Sequence, residues 1–253
     1  MARSYAARAR HERPRVRIDE SGGSKTLVVD ETFASFYRPG EAATRCVWDA
    51  IAAPLLWLRP ARRSRILILG LGAGSVARLA RALAPGAEIQ GVELDPEVVR
   101  LARAHFELDA LDVQVEIADA LDWLKSARGV YDAIFEDVFI GEGDDVHKPE
   151  WIPEPAHPLA WKRLAAGGIF VSNTLDEHAR VARAMRDVFS SVVSIQIEDY
   201  DNRVLVGAGD GLGARALRER VAVDPILAES LPMLSFRSYP PAKKRSEKEI
   251  RRV

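Results

Sequence analysis

The sequence predicts an α/β protein: an open, mostly parallel sheet with helices on both faces and an antiparallel pair at its end. Three observations carry this reading. From residue 65 onward, apolar runs of strand length alternate with amphipathic helical segments, the pattern of parallel βαβ crossovers. The last two runs, 192–197 and 204–208, are only six residues apart, too close for a parallel crossover, so they must pair as a hairpin. A chain of 253 residues, 47% hydrophobic and 29% charged, can bury a core without a disulfide or metal staple.

Residues 16–30 hold two alternating runs around Glu20-Ser21-Gly22-Gly23-Ser24, a β-hairpin turning on two glycines. Over 41–58, Ala43, Val47, Ile51, Leu55 and Leu58 recur at steps of three and four, which predicts a helix closed by Pro60 and Arg62-Arg63. Then follow strand 65–69, helix 75–84, strand 88–93, helix 96–106, strand 113–117, helix 120–126 and strand 131–136. Helix 159–165, strand 169–172 and helix 176–189 precede the hairpin. The expected organisation is a basic arm (1–15), a hairpin-and-helix unit (16–60), the α/β domain (61–210), a helical extension (211–238) and a basic tail (239–253).

The most apolar stretch, around 50–58, falls short of the roughly 20 residues a spanning helix needs, so no membrane segment is expected. Cys46 is the single cysteine and sits on the apolar helix face, a core position. With no secretory segment after Met1, a reducing cytoplasm is expected. The ends are basic and the body acidic: residues 1–17 hold six Arg and one Glu, and residues 239–253 hold six Lys or Arg and two Glu. Such arms are expected to be solvated tails. They leave nucleic acid open as a partner, and an Arg-rich start is also a transit-peptide composition.

The sharpest motif is Ile66-Leu67-Ile68-Leu69-Gly70-Leu71-Gly72-Ala73-Gly74, a buried strand entering a glycine turn and a helix. Gly70, Gly72 and Gly74 let backbone approach a ligand, and the helix start offers N–H donors. Glu93 follows Gly70 by 23 residues, where a carboxylate can accept both hydroxyls of a ribose. A nucleoside-bearing cofactor is expected. Ser75 stands where a dinucleotide fingerprint has its third glycine; the G-x-G-x-G pattern resembles S-adenosylmethionine enzymes. The antiparallel final pair likewise resembles the Rossmann-like class I methyltransferase fold, which implies that Asp119, with Ala120 after it, faces the adenine amino group.

The segments Glu93-Leu94-Asp95-Pro96-Glu97-Val98-Val99, Ala118-Asp119-Ala120, Tyr131-Asp132-Ala133-Ile134-Phe135-Glu136-Asp137 and Leu164-Ala165-Ala166-Gly167-Gly168-Ile169-Phe170-Val171 look like spermidine synthase, over about residues 16–208. The resemblance implies that Asp137 positions and deprotonates the attacking amine. Departures are as informative. Ala73 stands where the family's glycine loop carries an Asp, Ile140 where it carries a second Asp after the catalytic one, and residues 40–48 lack its D-E-x-x-Y-H-E segment. Both diamine anchors are missing. The expectation is therefore a methyltransferase using S-adenosylmethionine on an amine or other nucleophile. The alternatives are a polyamine aminopropyltransferase using decarboxylated S-adenosylmethionine and a binding protein that has lost catalysis.

Substrate choice is expected in residues 138–158, which carry Glu142, Asp144, Asp145, Glu150 and Glu154 beside Phe139, Trp151, His147 and His157. Phe139, Glu142 and Trp151 are the candidate contacts. Four prolines stiffen the segment and its carboxylates suit a cation, so a lid is expected. His147 and His157 are ten apart, not i, i+4, and no metal site is expected. The family's habit of pairing implies a homodimer.

Overall fold

The computed structural model describes residues 15–240. Except for Arg15, Tyr239 and Pro240, the basic arm and tail lie outside the described residues.

The chain opens on a small antiparallel sheet of three strands, β1 (Val16–Ser21), β2 (Ser24–Val29) and β3 (Thr32–Tyr37), in that order. The expected hairpin is there; β3 extends it. The second turn hides because Asp30 and Glu31 take positive φ (46° and 58°) where a turn-favouring glycine would have signalled it.

The helix expected over 41–58 is shorter. Asp49 accepts from the backbone N–H of Thr44 (2.8 Å) and Arg45 (2.9 Å), folding the chain into a turn, so α1 spans only Val47–Ala52. Pro54, which lacks a donor, converts the remainder into a 3-10 helix over Ala53–Trp57. The predicted apolar face is still the buried one, with Ile51 and Leu55 at 0% exposure. Half-buried Cys46 packs against this core, and burial pushes its thiol up.

Eight strands form the main sheet: β4 (Arg65–Leu69), β5 (Glu88–Glu93), β6 (Val113–Ile117), β7 (Tyr131–Glu136), β8 (Leu164–Thr174), β9 (Ser191–Ile197), β10 (Arg203–Ala208) and β11 (Leu234–Ser238). Their order is β11-β9-β10-β8-β7-β4-β5-β6. The pairs from β8 to β6 are parallel, whereas β10 runs antiparallel to both β8 and β9. The expected terminal hairpin is thus inserted into the sheet, with β10 against β8. The C-terminal extension is not wholly helical: after α7 (Ala214–Ala222) and a 3-10 turn, β11 pairs with β9 as a new edge.

Helices α2 (Ser75–Leu83), α3 (Pro96–His105), α4 (Ala120–Ser126), α5 (Ala156–Trp161) and α6 (His178–Val188) connect the strands. The helix expected at 159–165 lies earlier, and residues 164–168 join β8. Central strand β4 shows why the sheet is stable: Ile66 and Ile68 enter one core, Leu67 and Leu69 the other, all at most 2% exposed. Alternate side chains buried on both faces are what parallel strands under two helical layers require. Strand order reverses between β4 and β7, and an open α/β sheet has its ligand crevice at the carboxyl ends of such a pair. Among the described residues no helix is long and apolar enough to cross a membrane.

Candidate active site

The crevice begins where β4 gives way to the glycine turn. Gly70 has φ +81°, and a Cβ there would lie 2.5 Å from the carbonyl oxygen of Asp137, so β4 and β7 approach too closely for any side chain. Asp137 N–H donates to Leu69 O at 2.9 Å, which fixes the end of β7 beside the turn. Gly72 N–H donates to Glu93 Oε2 at 2.8 Å, and Asp95 N–H to Glu93 Oε1 at 3.1 Å. Burial pushes the Glu93 carboxyl up while these N–H groups pull it down. Gly74 (φ +91°) then starts α2 under Leu108.

Asp119, at the end of β6, caps α4 by accepting from Asp122 N–H at 2.9 Å. Ala120, 8% exposed, is the first residue of α4 and its side chain packs into the core. Leu94 and Ile117 remain 64% and 54% exposed beside Glu93 and Asp119. Two carboxylates with apolar side chains between them fit the ribose and base of an adenosine.

Asp137 occupies the other half. Asn173 of β8 donates to its Oδ1 at 2.8 Å and is itself met by Asn202 at 3.1 Å; Trp48 of α1 is a further hydrogen-bonding neighbour. Burial raises the carboxyl to about 6, against the pull of Lys148 and Asn173. Phe33 of β3 meets Trp48 edge-on, ring centres 4.9 Å apart.

Sequence reasoning missed the cluster behind Asp137. Glu136, 1% exposed, accepts from Lys148 Nζ (2.6 Å), Val138 N–H (2.9 Å) and Ser172 Oγ (2.6 Å), and its Oε2 lies 3.1 Å from His157 Nε2. Lys148 and His157 hold it down at about 2 despite burial. His157 is kept low, chiefly by burial. Breaking a buried pair by removing one partner costs about 3–5 kcal/mol. The signal was present: a Glu directly after the buried run Ala133-Ile134-Phe135 must bring a buried partner with it.

The loop from β7 to α5 meets the expectations unevenly. Phe139 lies under Lys148, whose Nζ is 3.9 Å from the ring centre. Glu142 is exposed, and Gly143 N–H donates to Asp30 O at 2.8 Å, tying the loop to the β2–β3 turn. Trp151, half-buried, packs against the core around Phe170. His147 is exposed and far from His157 in role, its Nδ1 3.0 Å from Asp145 O.

The small sheet grips the glycine turn from the other side. Ala73 N–H donates to Ser35 Oγ at 2.8 Å, and Ser75 Oγ both accepts from Phe36 N–H and donates to Phe36 O, each at 2.9 Å.

A family model described as a methyltransferase domain matches residues 66–148. A probable polyamine aminopropyl transferase of Bifidobacterium longum is 28% identical over 175 residues, 65% of this chain and 37% of that protein. The eEF1A lysine and N-terminal methyltransferase of Xenopus laevis is 26% identical over 160 residues, 58% of this chain and 23% of that protein. The chain thus spans less than half the length of either relative. The crystal structure of a probable spermidine synthase from Corynebacterium glutamicum has the same fold, with a TM-score of 0.69 at 22% identity over 88% of this chain and 86% of that one. With a glycine turn under Glu93 and an antiparallel strand inserted beside β8, the chain has the class I methyltransferase fold and is similar to spermidine synthase.

Proposed function

We propose that the chain is an S-adenosylmethionine-dependent transferase that methylates an amine or other nucleophile held at Asp137. The observation that carries this is the carboxylate itself: Asp137 directly follows the strand beside the glycine turn, hydrogen-bonded to Asn173 and tuned to about 6, the range of a general base working near neutrality. Glu93 holds the ribose hydroxyls, Leu94 and Ile117 flank the adenine, and Asp119 accepts from its amino group. When bound, the cofactor supplies an electrophilic methyl group on a sulfonium. Asp137 aligns the acceptor and takes its proton as the new bond to the methyl carbon forms and the C–S electron pair returns to sulfur.

Two features favour methyl over aminopropyl transfer. Ala73 is 2% exposed with its N–H committed to Ser35, and Ile140 offers no charge, so neither position provides the carboxylate a diamine would need. The relative named as a polyamine aminopropyl transferase keeps aminopropyl transfer from decarboxylated S-adenosylmethionine as the second reading.

Ligand-dependent thermal stability tests the choice, since a ligand that binds only the native state raises the apparent midpoint. The expected pattern is stabilisation by S-adenosylmethionine and S-adenosylhomocysteine. Preference for the decarboxylated form and methylthioadenosine would replace methylation by the second reading; stabilisation by NAD alone would overturn both.

A further inference from the structure

The buried cation behind Asp137 has no role in the chemistry described so far. Lys148 belongs to the loop between β7 and α5, yet its side chain is 0% exposed and its Nζ reaches back twelve residues to Glu136 Oε1 (2.6 Å) and ten to Val138 O (2.8 Å). These two groups flank Asp137 in sequence, so one ammonium clamps the chain on both sides of the carboxylate. Val138 N–H closes the clamp on the same Glu136 oxygen at 2.9 Å. Lys148 is fixed in turn: Phe139 lies 3.9 Å under its Nζ, and its backbone N–H donates to Glu177 Oε1 at 2.7 Å. Glu136 is braced from behind by Ser172 and His157. An ion pair in a dry interior interacts strongly with any third charge nearby.

We propose that Lys148, carried in by the loop, is a positioning residue that clamps the strand end bearing Asp137 and favours its ionised carboxylate. That this carboxylate is a base rests on the transferase reading above. The groups facing Asp137 number two charges and two neutral donors: Lys148 from the loop, Glu136 from β7, Asn173 from β8 and Trp48 from α1. Lys148 favours the carboxylate and Glu136 opposes it, with Lys148 the stronger of the two.

The opposite signs of the two neighbours make the test specific. Asp137 is titrated by carboxyl 13C resonance in protein labelled at aspartate, the signal being assigned by its loss in Asp137→Asn. Lys148→Met is expected to raise the midpoint by about one pH unit and Glu136→Gln to lower it, in line with a charge a few ångströms away. Should Lys148→Met fail to fold, Glu136→Gln/Lys148→Met removes both buried charges together, and a smaller upward shift is expected. Midpoints that stay put, or that move the same way in Lys148→Met and Glu136→Gln, would overturn the proposal. The acid limb of the transfer rate should track the same midpoints. If the midpoints move but Asp137→Asn transfers at the wild-type rate, the role of Lys148 in ionisation stands and the assignment of Asp137 as base falls.

Discussion

The two halves of the crevice use different physics. Around Glu93 the donors are backbone N–H groups of Gly72 and Asp95, on strand ends and turns that neighbour one another in the sheet. Around Asp137 the partners are side chains from α1, β7, the following loop, β8 and the β9–β10 turn: Trp48, Glu136, Lys148, Asn173 and Asn202. The first half is a rigid cradle suited to an invariant nucleoside. The second is a set of coupled charges and amides whose balance a substitution can tip, the arrangement expected where chemistry and acceptor choice reside.

Substitutions should separate these halves. The largest effect is expected from Asp137→Asn: a loss of about 10²–10⁴ in kcat, with cofactor affinity within a few fold of wild type, measured by single-turnover transfer and by calorimetry. Equal losses in rate and affinity would merge the two halves. Glu93→Gln should do the reverse, weakening cofactor binding about tenfold or more by replacing charged acceptors with a neutral amide while leaving saturated kcat nearly intact.

The smallest effect is a pH dependence in which adjacent residues oppose each other. Asp137 is raised from 3.8 to about 6, so between those values the native state holds a proton that the unfolded chain releases; its contribution to stability declines as pH climbs from about 4 to about 6 and is level above. Glu136 is lowered from 4.5 to about 2, so its contribution is complete above about 4.5 and fades as pH falls toward 2. Urea midpoints of wild type and Asp137→Asn between pH 4 and 7 isolate the first term: the variant should gain on wild type as pH rises.

The same division explains what could be read from the residues. Strands β4, β5, β6 and β7 follow from apolar runs bounded by turns, and the residues proposed to cradle the adenosine follow from one glycine turn and the strand ends beside it. The third strand of the small sheet escaped because Asp30-Glu31 turns without glycine, and α1 was over-extended because the periodicity continues through Pro54 in a helix of another pitch. Lys148, Asn173 and Asn202 carry no local pattern; they meet Asp137 or its neighbour only once β7, β8 and β10 are side by side.

One bracket spans both halves. Strand β3 holds the glycine turn through Ser35, while the Asp30 carbonyl at its leading turn holds the loop that delivers Lys148. Residues 16–37 are therefore a strut rather than an appendage: cut away, they would leave the Ala73 amide and the loop anchor without their partners.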